Sequence, residues 1–195
     1  MAMYETLQVS PSTLRIGAEI SGIDLTRPLG DQQFSELHDA MTRYQVLFFR
    51  DQPIDHDSHK ALGRLFGPLA IHSGVAGLVD HPEIVAIHAD ADSKYVAGEN
   101  WHSDLTCNAE PPMGSILYIK QCPPRGGDTL FANMYAAYDA LSDRMKAYLE
   151  GLTARHNGEH YRGQYANYGV KDKETYPSAD HPIVRSFFES YVGGT

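Results

Sequence analysis

Residues 113–132, MGSILYIKQCPPRGGDTLFA, decide how the middle of the chain is read. Ile116, Leu117, Tyr118 and Ile119 form a short apolar, aromatic-bearing run that predicts a strand over 113–121. Pro123, Pro124, Gly126 and Gly127 then interrupt it, and a second strand is expected over 128–132. Thr129 would place its hydroxyl at the start of that strand, facing inward. Upstream, 82–88 (PEIVAIH) predicts another strand. The helical signals lie earlier and later. Phe34, Leu37, His38, Met41 and Tyr44 recur at helical spacing and predict a helix over 31–44, with Arg43 at the end the dipole favours. Asp55 reads as the N-cap of a second helix that stops at Gly67. Residues 133–141 and 144–150 predict two more, the last closed by Gly151. A buried strand is expected over 45–49, and a further strand over 181–188. From 157 to 180 no period holds, which reads as a long loop of the lid type. The pattern is a sheet core dressed with helices rather than regular βαβ winding, so the expected class is mainly β with helices, α+β.

A chain of 195 residues and 21.6 kDa suits a single domain over 1–195. With 42% apolar and 21% charged residues a packed core is possible and wholesale disorder is not expected. The formal charge of -9, with no Lys/Arg cluster, argues against a nucleic-acid partner. No apolar run is long enough for a transmembrane helix, and residues 1–10 lack the basic and apolar regions of a secretory signal. The expectation is a soluble cytoplasmic protein with no membrane partner. Cys107 and Cys122 cannot build a disulfide framework or a cysteine-rich zinc site, and packing roles are expected for both.

The unusual feature is ten histidines. An H-x-[DE] unit on extended backbone sends both side chains to one side, where both can reach one metal. Three occur: His81-Glu83, His88-Asp90 and His102-Asp104. Composition alone gives roughly 1.3, so the unit by itself means little. Context separates them. His81-Glu83 has a proline between its members and opens a strand. His88-Asp90 runs into a polar stretch at a strand end. His102-Asp104 follows Trp101, whose ring could exclude water from a metal, and leads into the Pro111-Pro112 corner.

These features belong to a longer series of motifs. It includes 17–25 (GAEISGIDL), 46–52 (VLFFRDQ), 64–67 (RLFG), 100–104 (NWHSD), Pro111-Pro112, 126–130 (GGDTL), 135–138 (YAAY) and 181–185 (HPIVR). In this order, from about residue 8 to residue 185, the chain resembles the TauD/TfdA family of Fe(II)- and 2-oxoglutarate-dependent dioxygenases. The resemblance implies a double-stranded β-helix, or jelly-roll, core. It implies iron held by two histidines and one carboxylate, with His102 and Asp104 matching the first two ligands. Thr129 matches the threonine that hydrogen-bonds a carboxylate of 2-oxoglutarate. His72 matches a histidine that contacts the substrate's anionic group. The implied reaction hydroxylates a C–H bond of a small anionic substrate with O2 while 2-oxoglutarate becomes succinate and CO2.

The pattern departs from taurine-type members in two ways. Val75 stands where they have a substrate-facing tyrosine, and the residues around Gly98 lack a substrate-contacting asparagine. The implied class is therefore a sulfonate, sulfate ester or carboxylate, and not taurine in particular. The family also continues past the His-Pro-Ile-Val-Arg stretch to a third ligand, a histidine, and to an arginine that pairs with 2-oxoglutarate. Residues 186–195 (SFFESYVGGT) do not continue it, so a truncated member is expected. His156, His160 and His181 are the histidines left as substitutes for the third ligand, with lid or surface roles the favoured reading. The alternative functions are a non-catalytic or partner-dependent truncated member, and a plain metal module. Self-association into a homo-oligomer is left open.

Overall fold

The computed structural model describes residues 4–72, 75–90, 92–93, 96, 98, 100–161 and 176–185. The chain divides into two compact units, Met1–Gly67 with Ile116–Tyr148, and Pro68–Ser115 with Leu149–Thr195.

The first unit is built on a three-stranded sheet of β1 (Gln8–Pro11), β2 (Ala18–Ser21) and β3 (Leu47–Phe49), in that order. β1 runs antiparallel to β2, and β2 runs parallel to β3 with Ala18 opposite Leu47 and Ile20 opposite Phe49. The parallel pair is joined through α1 (Asp31–Tyr44), as a parallel connection requires a crossover. Alternation in β2 sends Ala18 and Ile20 into the core and Glu19 and Ser21 to solvent. Gly17, entering β2, has φ +85°, and a Cβ there would stand 3.3 Å from the ring of Phe48. Only glycine enters this strand without strain or a shift of the ring.

α1 occupies the residues that the spacing predicts. It ends where Gln45 turns left-handed at φ 67° and its N–H returns to the Met41 carbonyl. α2 (His56–Leu65) starts on a capping box: Asp55 accepts from the Ser58 amide, and the Ser58 hydroxyl accepts from the Asp55 amide. Leu37 and Ala40 of α1, Leu62 of α2 and Ile20 of β2 meet in one core with Leu7, Ile23, Leu25 and Ile54. Each large apolar side chain buried there contributes about 1.5–3 kcal/mol. The rings of Phe34 and Phe66 close the α1–α2 contact edge to face at 5.2 Å. The core also takes Tyr118, while His59 Nε2 lies 3.0 Å from the Ile116 carbonyl oxygen. α3 (Met134–Asp139) is capped by Asn133, whose Oδ1 accepts from the Ala136 amide. α4 (Asp143–Leu149) then runs to the boundary of the unit.

The second unit contains β4 (Thr153–Asn157) and β5 (Ser178–Pro182), an antiparallel pair with Thr153 opposite Pro182 and Asn157 opposite Ser178. Within the stretch expected as a loop, 157 ends β4, Gly158–Tyr161 forms a short 3-10 turn and β5 begins at 178. Residues 162–175 lie outside the described residues. β5 starts three residues before the expected strand and ends at Pro182; residues 186–188 are not described.

Three expected strands are corrected. Residues 82–88, 113–121 and 128–132 belong to no ladder among the described residues. A strand exists through its partner's hydrogen bonds, and an apolar pattern supplies no partner. Leu117, Ile119, Leu130 and Phe131 are accordingly exposed. Helical residues outnumber strand residues among those described, so the class is mixed α and β rather than mainly β, with one three-stranded and one two-stranded sheet. Among the described residues no helix is long and apolar enough to cross a membrane.

Candidate metal centre

His102 and Asp104 lie where irregular backbone enters a turn over 104–107, both in the second unit. His102 Nδ1 is 2.7 Å from the carbonyl oxygen of Asn100. A carbonyl only accepts, so the ring proton is assigned to Nδ1, which donates. Nε2 faces Asp104 Oδ1 at 3.2 Å, an ion pair when the ring carries two protons and a pair of lone-pair donors when Nε2 carries none. An imidazole nitrogen free of its proton and a carboxylate oxygen are ligand types that one divalent cation takes. The other carboxylate oxygen, Oδ2, accepts a hydrogen bond of 2.7 Å from Ser115 Oγ. Metal-binding histidines and carboxylates are held in this way, each by a second partner on its far side. The pair remains reachable, with side chains 40% and 55% exposed. On chemistry and geometry His102 and Asp104 fit a metal, as two of its ligands. Among the described residues no three His, Cys, Asp or Glu side chains cluster to complete a site.

The other two H-x-[DE] units differ. His88 Nε2 stands 3.1 Å from Asp90 Oδ2, but Asp90 Oδ1 is taken by the Ser93 hydroxyl and the Asp92 amide. The hydrogen bond from His88, then Ser93 and the Asp92 amide, holds the Asp90 carboxyl below its ordinary value. This is a solvated turn whose carboxylate is already satisfied. His81 lies in a tight turn in which its amide bonds the Leu78 carbonyl and its carbonyl accepts from Ile84. His88–Asp90 repeats the ring-to-carboxylate contact and the serine bond of residues 102–104, and differs in the extra Asp92 amide on Oδ1, where His102 instead has its Nδ1 held by the Asn100 carbonyl.

Trp101 was expected to shield the metal. Its ring is 70% exposed, so it does not exclude water. His72 is half-buried, and its Nδ1 accepts from the Val75 amide at 3.0 Å. That assignment puts the ring proton on Nε2. Thr129 belongs to the first unit, exposed, on irregular backbone after Gly126 and Gly127 at φ 76° and 73°. The inward-facing strand position expected for it does not form. His102 and Asp104 are the sequence-predicted residues that the structure brings together.

Two histidines weighed as a third ligand are engaged elsewhere. His156 Nδ1 bonds the Thr106 hydroxyl at 2.9 Å, and His181 Nε2 lies 2.9 and 3.0 Å from the carbonyl oxygens of Thr106 and Asn108. They line a cavity of about 360 Å³ with Ser103, Thr106, Pro111 and Arg185. Sequence reasoning missed the role of Ser115, eleven residues from Asp104, because a single serine after a glycine carries no local signal. Cys107 is buried, as expected for a packing role, and Cys122 is exposed.

Residues 8–187 match the family described as taurine catabolism dioxygenase TauD, TfdA family. The chain belongs to the TauD/TfdA family. This TauD/TfdA chain is 31% identical to the (S)-phenoxypropionate/alpha-ketoglutarate-dioxygenase of Sphingobium herbicidovorans, over 87% of its own length and 64% of the relative's. It is 34% identical to an alkylsulfatase of Acinetobacter baylyi, over 92% of its length and 59% of the relative's. Among solved structures it is similar to a taurine dioxygenase from Burkholderia xenovorans, with a TM-score of 0.75 and 31% identity over 93% and 59% of the two chains. The TauD/TfdA chain thus spans about two thirds of the relative's length or less in each case.

Proposed function

We propose that this chain is part of an Fe(II)- and 2-oxoglutarate-dependent dioxygenase that hydroxylates a small anionic substrate. The observation that carries the reading is the His102–Asp104 pair, with Nε2 and Oδ1 3.2 Å apart and each residue's far side held by Asn100 or Ser115. Family membership supports it, as do relatives named for alpha-ketoglutarate-dependent action on sulfonates, sulfate esters and phenoxypropionate. Bound iron would supply the coupling of O2 and 2-oxoglutarate decarboxylation to substrate hydroxylation, giving succinate and CO2. This chain's residues hold and orient. His102 and Asp104 would hold the metal. Thr129 would donate its hydroxyl to a carboxylate of 2-oxoglutarate. His72, which matches the family's substrate-contacting histidine, would contact a sulfonate, sulfate or carboxylate oxygen of the substrate. The remaining metal ligand comes from outside the described residues. The jelly-roll core is part of the same proposal, supported by the likeness to the taurine dioxygenase structure.

The test is succinate formation from 2-oxoglutarate under air with Fe(II), across alkyl sulfonates, alkyl sulfate esters and aryloxy carboxylates. At least one class should raise succinate above the substrate-free rate, and His102→Ala should abolish the rise. Succinate formation that no anion stimulates, or that survives His102→Ala, refutes the proposal.

A further inference from the structure

Among the described residues of the second unit, His181 is the charged or polar residue that is buried, at 9% exposure. It comes from β5, 77 residues after Asp104 in sequence, yet it meets the turn that leaves Asp104. Its Nε2 lies 2.9 Å from the Thr106 carbonyl oxygen and 3.0 Å from that of Asn108. Both atoms only accept, so Nε2 carries a proton and divides it between them. Next to it stands His156 of β4, ring edge to face at 5.3 Å, with Nδ1 on the Thr106 hydroxyl at 2.9 Å. Thr106 is therefore held twice, through its carbonyl and its hydroxyl, by one residue from each strand of the antiparallel pair.

The turn so held is unusual. Leu105, between Asp104 and Thr106, has φ +51°, a left-handed conformation that a leucine adopts at a cost. Strained residues persist where the surroundings over-determine them, and they gather at functional sites. Here the Asn108 amide bonds the Leu105 carbonyl at 2.9 Å, and His181 fixes the carbonyls of Thr106 and Asn108. The direction of the Asp104 side chain depends on the backbone that leaves it. If the turn relaxed, Oδ1 would leave the point it shares with His102 Nε2.

We propose that His181, supported by His156, is a positioning residue for the metal ligand Asp104 and acts through the turn at 105–108. The inference rests on the reading of His102 and Asp104 as ligands. Its test is the affinity for Co(II), read anaerobically by visible absorption, in the parent, His181→Leu, His181→Gln, His156→Leu and Thr106→Val. His181→Leu removes the shared donor and should weaken Co(II) binding by roughly 10-fold or more, the scale of outer-shell partners at metal sites. His181→Gln returns an N–H near the same place and should recover most of the loss, which a general packing role would not do. His156→Leu and Thr106→Val should weaken binding by a smaller factor at unchanged secondary structure. Unchanged affinity in folded His181→Leu overturns the proposal. If His181→Leu does not fold, His181→Met, which also lacks the ring donor, decides: weakened binding supports the proposal and unchanged binding overturns it. A parent whose Co(II) binding is indifferent to His102→Ala refutes the metal site itself. That is a separate result from a parent that depends on His102 while its His181→Leu variant binds normally.

Discussion

Replacing Ser115 by alanine should loosen the metal and leave the fold alone. Ser115 Oγ donates to Asp104 Oδ2 at 2.7 Å. A hydrogen bond to a charged acceptor contributes about 1.5–3 kcal/mol where water is excluded. Asp104 is 55% exposed, so solvent competes for Oδ2 and the figure falls to about 1 kcal/mol. That is roughly a fivefold weakening, approaching 10-fold if the free carboxylate also turns away from His102. The same bond is lost from the metal-free fold, so global stability should fall by no more than about 1 kcal/mol. The assay is an anaerobic Co(II) titration of parent and Ser115→Ala, with urea unfolding of both. Metal affinity unchanged or tightened in Ser115→Ala would refute the reasoning, because Oδ2 would then need no second partner. A large fall in stability would refute it differently, by making Ser115 part of the scaffold.

Two further outcomes are expected from the first unit. Leu37, 1% exposed at the centre of the core, should cost about 2–5 kcal/mol when changed to alanine, measured by urea unfolding; a loss under about 1 kcal/mol would mean the core re-forms around the gap. Stability should also fall in acid. Burial pushes the Glu36 carboxyl up, but the Thr6 and Glu5 amides, the Thr6 hydroxyl and the Gln32 amide outweigh it and hold it below its ordinary 4.5. The Ser58 hydroxyl and amide hold Asp55 below 3.8 in the same sense. Folded values below unfolded ones mean stability that is present above the ordinary carboxylate range and lost as pH falls through the folded values. Thermal melts should drop below about pH 4, less steeply in Glu36→Gln; identical slopes in parent and variant would rule Glu36 out as a contributor.

Local chemistry was legible in the sequence, and long-range pairing was not. α1 could be read because its apolar period, the acid at its start and the base near its end agree at every level. Asp55 was readable as a cap because the acid and its partner are three residues apart. The runs at 113–121 and 128–132 have strand composition, yet ladder formation is decided by residues elsewhere, and among the described residues none pairs with them. β4, a polar strand reading TARHN, carries no apolar signal and exists through β5. The metal pair shows the same division. Sequence context singled out His102 and Asp104 from three similar units. What distinguishes them in space is the Asn100 carbonyl and the contact of His181 with the turn after Asp104, the second invisible without the fold.

The proposed role of His102 and Asp104 is to hold the iron at which 2-oxoglutarate would react. Anaerobic titration of the protein with Fe(II) and 2-oxoglutarate, watching the visible charge-transfer band of the chelate, tests that role. A band should saturate with both additions, disappear in His102→Ala and Asp104→Ala, and weaken in Ser115→Ala. No band in the parent, or a band of full strength in His102→Ala, would contradict it.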